Sequence, residues 1–127
     1  MRIILDTHLF LWWIKGDAKL AKKTRSKILD ATEVYVSSAS IWECAIKIKL
    51  KKLDVDIKEL VAAIEASNFI ELPITAEHAA KVIELPDLHR DPFDRILVAQ
   101  AICEPLILLT ADKKIGAYSD LVEVISD

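Results

Sequence analysis

Arg2-Ile-Ile-Leu-Asp-Thr-His8 is the stretch that decides the fold class. Ile3, Ile4 and Leu5 form a short unbroken apolar run that leads directly into Asp6. Such a run, rich in β-branched residues, predicts a strand buried on both faces of a parallel sheet. In open α/β sheets, ligands bind just beyond the carboxyl ends of the strands. Asp6 is therefore delivered by a rigid element to the edge where chemistry is done. One aspartate decides little. Three further acids, Glu43, Asp94 and Asp112, compete for the same address.

Working outward, strands and helices alternate. Residues 7–14 read as a short apolar helix closed by Gly16-Asp17. Residues 18–31 read as an amphipathic helix with Leu20, Ala21, Thr24, Ile28 and Leu29 on one face. Val34, Tyr35 and Val36 centre a strand over 33–37, and a helix over 38–51 follows, capped by Ser38 or Ser40. A helix over 57–66, a strand over 69–72 and a helix over 75–84 capped by Thr75 come next. After a loop over 86–90, residues 91–103 predict a helix apolar nearly all round and hence central. Strands over 106–109 and 122–125 flank a short helical turn opened by Asp112. The class is α/β with a mainly parallel sheet flanked by helices. No repeat or long linker divides the chain, so residues 1–127 are expected to form one domain.

Composition narrows the function classes. With 127 residues, 53% of them apolar, the chain can bury roughly 68% of its unfolded surface. The longest wholly apolar run, Leu9 to Ile14, is too short to span a bilayer. The N-terminus lacks the pattern of a secretory signal. Cys44 and Cys103 suggest no disulfide framework, so a reducing, cytoplasmic setting is expected. Only two glycines, Gly16 and Gly116, are present, which excludes GxGxxG, Walker A and GxSxG loops. Net charge is −3, yet nine of the 17 basic residues cluster between Lys19 and Lys27 and between Lys47 and Lys52. These clusters are either solvated helix faces or a basic rim for a polyanion.

The four acids share one kind of position. Asp6 ends the first strand, Glu43 lies a turn into the helix after the second, Asp94 sits in the first turn of the 91–103 helix, and Asp112 follows the 106–109 strand. Strand ends and the starts of the following helices share one edge of a parallel sheet. Four carboxylates there repel one another unless cations stand between them, and Mg²⁺ or Mn²⁺ takes oxygen ligands. Each acid also has a plainer reading. Asp6 can cap the next helix, Glu43 can pair with Lys47 at i,i+4, and Asp94 and Asp112 can complement helix dipoles. The plainer readings do not explain why all four address one edge. His8, His78 and His89 are scattered without metal-ligand spacing, and Trp12, Trp13 and Trp42 read as core or partner surface.

Leu5-Asp-Thr-His8, Ser37-Ser-Ala-Ser-Ile-Trp-Glu43, the run from His89-Arg-Asp-Pro-Phe-Asp94 to Ala101, and Leu108-Leu-Thr-Ala-Asp112 occur in that order. Together they resemble PIN domains, and among these the VapC-type toxins of toxin–antitoxin pairs. The resemblance covers essentially the whole chain. It implies an Mg²⁺- or Mn²⁺-dependent endoribonuclease whose acidic residues, catalytic and metal-holding, fall on Asp6, Glu43, Asp94 and Asp112. It implies RNA as substrate, a cognate antitoxin as inhibitor and a homodimer as assembly. Thr7 and Thr110 neighbour the acids and are placed to orient a carboxylate or a metal water. Asp91 is the ambiguous position. Asp91-Pro92-Phe93-Asp94 reads as a helix start with Asp91 at the N-cap, Pro92 at N1 and Asp94 at N3. Hydrolysis by metal-activated water would leave 5′-phosphate and 3′-hydroxyl ends. The alternatives are a receiver-like Mg²⁺-binding regulatory module and a non-catalytic binding domain. A receiver wants an acidic pair near the first strand, whereas Asp6 here is followed by Thr7.

Overall fold

A computed structural model describes residues 1–88 and 90–125; His89 lies outside the described residues. Five strands form one sheet: β1 (Arg2–Leu5), β2 (Glu33–Ser37), β3 (Ile70–Leu72), β4 (Ile107–Thr110) and β5 (Val122–Val124). Their spatial order is β3-β2-β1-β4-β5, and every pairing is parallel. Six α-helices accompany them: α1 (Thr7–Lys15), α2 (Lys22–Asp30), α3 (Ser38–Lys49), α4 (Ile57–Ala66), α5 (Ala76–Lys81) and α6 (Pro92–Cys103).

The apolar run of β1 is wholly buried because both faces of the sheet are covered. Ile3 and Leu5 point to one side, where they pack with Leu9, Phe10, Ile28, Cys44, Leu60 and Phe69 from α1 to α4 and the loop before β3. Ile4 points to the other side, against Leu97, Val98 and Ala101 of α6 and Ile115. This alternation is the period-two geometry of a strand. The continuous apolarity of α6 follows from its place: Leu97, Val98, Ala99, Gln100 and Ala101 are all buried.

Strand order reverses at β1, whose successors β2 and β3 run to one side while β4 and β5 lie on the other. That is the topological switch point of a doubly wound sheet, where the crevice opens. The order 3-2-1-4-5 also differs from the 2-1-3-4-5 order of receiver-like sheets.

Three local expectations are corrected. The second helix starts at Lys22 and not at residue 18, because Asp17 organises a turn there. Its carboxylate accepts from the Lys19 amide at 2.9 Å and its carbonyl from the Leu20 amide at 3.0 Å. The cap of α3 is Ser37, not Ser38 or Ser40: the chain turns at the last residue of β2, and the Ser37 hydroxyl accepts from the Ala39 amide at 3.0 Å. Ser40 is thereby left to meet the Thr7 hydroxyl behind the cleft. The helical turn expected from Asp112 forms further on, as a 3₁₀ turn over Gly116–Tyr118.

Candidate active site

Each acid is set by the element it ends or begins. Asp6 follows β1 and is the N-cap of α1. Its Oδ1 accepts from the Leu9 amide at 2.8 Å, and its Oδ2 accepts from the Thr110 hydroxyl at 2.6 Å. The second bond crosses the switch point from β1 to the end of β4. The Thr110 oxygen also accepts from the Asp112 amide at 3.0 Å, so one buried hydroxyl ties two of the acids' segments together. Asp6 is 4% exposed. Burial pushes its carboxyl above the ordinary carboxylate range, against the lowering pull of Thr110 and the Leu9 amide.

Glu43, one turn and a half into α3, is also buried. Its Oε1 accepts from the Thr7 hydroxyl at 2.8 Å and its Oε2 from the Lys47 ammonium at 3.0 Å. The Thr7 and Ser40 hydroxyls are 2.9 Å apart. A carboxylate only accepts, so Thr7 gives its single proton to Glu43 and receives one from Ser40. The hydrogen bond to Glu43 raises the Lys47 pKa, and the charge of Asp91 adds to the effect. Next to Glu43, burial pushes the Cys44 thiol up to about 11, so it stays protonated.

Asp91 is the N-cap of α6, with Pro92 at N1. One oxygen, Oδ1, accepts from both the Phe93 amide at 2.8 Å and the Asp94 amide at 3.3 Å. Asp112 accepts from the Lys114 amide at 2.9 Å.

All four acids line one cleft of about 380 Å³, together with Thr7, His8, Trp12, Lys47, Asp91, Ala111 and Ile115. Asp91 thus borders the cleft as well as capping its helix. The plainer roles of Asp6 and Glu43 are both realised, as a cap and as an i,i+4 pair, and they coexist with a place in the cleft. Among the described residues, no three His, Cys, Asp or Glu side chains converge tightly enough to form a finished metal-ligand set. The donors are nevertheless all carboxylate oxygens on one cleft, the chemistry a hard divalent cation takes. The desolvated Asp6 charge is the kind of buried anion that a bound cation stabilises.

The aromatic group after Asp6 divides. Phe10 and Leu11 are core; Trp12 lines the cleft beside His8, with ring centroids 6.3 Å apart; Trp13 packs on Phe69 at 5.4 Å. Trp42 is exposed and stacks edge-on against Phe93. His78 is buried far from the acids in sequence and in role: it forms a capping box with Thr75 and bonds Glu104. His8 and Lys47 line the cleft without a sequence motif that marks them as site residues. For Lys47 the signal was present, since it lies four residues from Glu43 on the same helix face.

The basic stretch before β2 is partly engaged: Lys27 pairs with Glu123, and Arg25 lies over the Trp13 ring at 5.1 Å. No helix among the described residues is long and apolar enough to cross a membrane.

Thr110→Val keeps the shape but removes the donor to Asp6 and the acceptor for the Asp112 amide. We expect a loss of about 1–3 kcal/mol in unfolding free energy, read from urea midpoints. Thr110→Ser should restore most of it.

The PIN-domain family model matches residues 3–121. Ribonuclease VapC22 of Mycobacterium tuberculosis (strain ATCC 25618 / H37Rv) is 26% identical over 118 residues, covering 91% of each chain. Two solved structures share the fold. One is a VapBC2 complex from Rickettsia felis bound to a DNA fragment from its promoter, with a TM-score of 0.71, 17% identity, and coverage of 99% of this chain and 100% of that one. The other is a toxin–antitoxin complex from Klebsiella pneumoniae, with a TM-score of 0.68, 18% identity and 96% coverage of both. With a match over nearly its full length and the acid-lined cleft at the sheet's switch point, the chain belongs to the PIN-domain family.

Proposed function

We propose that this chain is a divalent-metal-dependent endoribonuclease, the toxin of a VapBC-type toxin–antitoxin pair. The observation that carries this reading is the convergence of Asp6, Glu43, Asp94 and Asp112 on one cleft at the switch point. Membership of the PIN family, and likeness to a relative named as a ribonuclease and to toxin–antitoxin complexes, support it. We take residues 1–127 as one nuclease domain, acting in the cytoplasm as a homodimer that its antitoxin holds inactive.

Asp6, Glu43, Asp94 and Asp112 would hold Mg²⁺ or Mn²⁺. Such an ion supplies Lewis acidity: it makes water a competent nucleophile near neutral pH and offsets charge on a phosphate. The chain's own part is to keep the carboxylates aimed and spaced. Thr110 fixes Asp6 to the end of β4, and Thr7, backed by Ser40, fixes Glu43. With both acids positioned in advance, little reorganisation remains when substrate arrives. Asp91 commits one oxygen to the amides that open α6, which sets where Asp94 leaves the helix.

The receiver-like alternative loses support from the strand order. The test of the reading is incubation of purified protein with structured and single-stranded RNAs, in Mg²⁺, in Mn²⁺ and in chelator. We expect cleavage with either ion and none with chelator. Cleavage that survives chelation contradicts metal dependence. Stable uptake of phosphate from a small phosphodonor, seen by intact mass, would favour the receiver instead.

A further inference from the structure

Five carboxylates line the cleft: Asp6, Glu43, Asp91, Asp94 and Asp112. Lys47 is the one lysine or arginine among the described residues that lines it with them. Its ammonium takes Glu43 Oε2, while the other oxygen of the same carboxylate is held by Thr7. The two holds differ in kind. Thr7 is buried and backed by Ser40; the Lys47 side chain is 39% exposed and carries its charge on a long flexible stem. A partly exposed pair of this spacing adds little to stability, so stability does not account for a cation in this cleft.

We propose that Lys47 is a resident counter-ion: it neutralises Glu43 while the cleft holds no divalent cation, gives up Oε2 to that cation, and then meets a phosphate oxygen of the RNA. The inference rests on the metal-dependent nuclease reading above. The asymmetric hold makes the exchange feasible. When Lys47 leaves, Thr7 still aims Glu43, so the carboxylate does not swing away. Nothing large has to move, because the Lys47 side chain is partly exposed and its stem can pivot towards the mouth of the cleft. An ammonium released beside a phosphodiester is a point charge suited to that anion.

The proposal predicts effects of opposite sign from one substitution. Lys47→Met keeps the aliphatic stem and removes the charge. The acids then attract a divalent ion without a competitor, so Mn²⁺ affinity should rise about tenfold or more. The KM for single-stranded RNA should rise by about tenfold, because a phosphate contact is lost. Lys47→Arg keeps the charge and should reverse most of both changes seen in Lys47→Met. Free Mn²⁺ is titrated by electron paramagnetic resonance in the absence of RNA, on wild type, both Lys47 variants and Asp6→Asn, with urea midpoints to confirm folding. Wild-type protein that binds no Mn²⁺, or binds it as Asp6→Asn does, defeats the metal reading itself. Wild-type binding that depends on Asp6, together with equal or weaker Mn²⁺ binding by folded Lys47→Met, overturns the counter-ion role. An unchanged KM in Lys47→Met overturns the phosphate contact.

Discussion

Asp6→Asn should reduce RNA cleavage by several orders of magnitude and leave the protein at least as stable as the wild type. The two halves have separate causes. Asparagine caps a helix about as well as aspartate, so the Leu9 amide keeps an acceptor, and the size of the side chain is unchanged. A neutral amide oxygen is a poor ligand for a hard cation, so the cleft loses its innermost anion. The stability half carries a pH dependence with a definite sign. Burial raises the Asp6 carboxyl above its unfolded value. The native group therefore holds its proton more tightly than the unfolded one, and folding takes up protons. Its stabilising contribution is fully present below the unfolded pKa and is lost as pH rises through the raised folded pKa. The amide in Asp6→Asn has no charge to bury, so the variant should gain on the wild type from about pH 4 upward. Urea midpoints across that range, without divalent ions, measure the gain. A folded Asp6→Asn protein that cleaves normally ends the account of the site.

Asp91 and Asp94 should separate as sharply. Asp91 gives one oxygen to two amides at the start of α6. Asp91→Ala leaves those amides without their cap and should cost about 0.5–2 kcal/mol, with cleavage reduced far less than in the other variant. Asp94 stands at N3, where a side chain can leave the helix towards the cleft that it lines. Asp94→Asn should remain folded and lose most Mn²⁺-dependent cleavage. The reverse pattern, with Asp91→Ala inactive at full stability and Asp94→Asn active, would exchange the roles of the two aspartates.

Much of this fold is legible in the sequence. The buried strands announce themselves as short apolar runs, and α6 as a helix without a polar face. Asp91-Pro92 marks a helix start because the cap chemistry is local. What escaped the sequence depends on choices that several residues can fill, or on contacts between distant elements. Three serines compete to cap α3, and only the point where the chain turns selects Ser37. Residues 18–31 keep a helical period throughout, yet the Asp17 turn delays the helix to Lys22. Thr110 is expected to orient a carboxylate, but that it bonds Asp6, 104 positions away, is not in the local pattern. The bond exists because β4 lies beside β1, and strand order is not written in periodicity. Lys47 was visible as an i,i+4 partner of Glu43, but its presence among the acids follows from how α3 docks over the sheet edge.

The chemical nature of the cut ends tests the central claim most directly. Purified protein is incubated with a defined single-stranded RNA in Mn²⁺, and the fragments are identified by mass spectrometry. Hydrolysis by water at the acid cleft predicts 5′-phosphate and 3′-hydroxyl ends, formed by wild type and absent with Asp6→Asn. Fragments ending in 2′,3′-cyclic phosphate would mean that the RNA's own 2′-hydroxyl is the nucleophile, and would contradict the account.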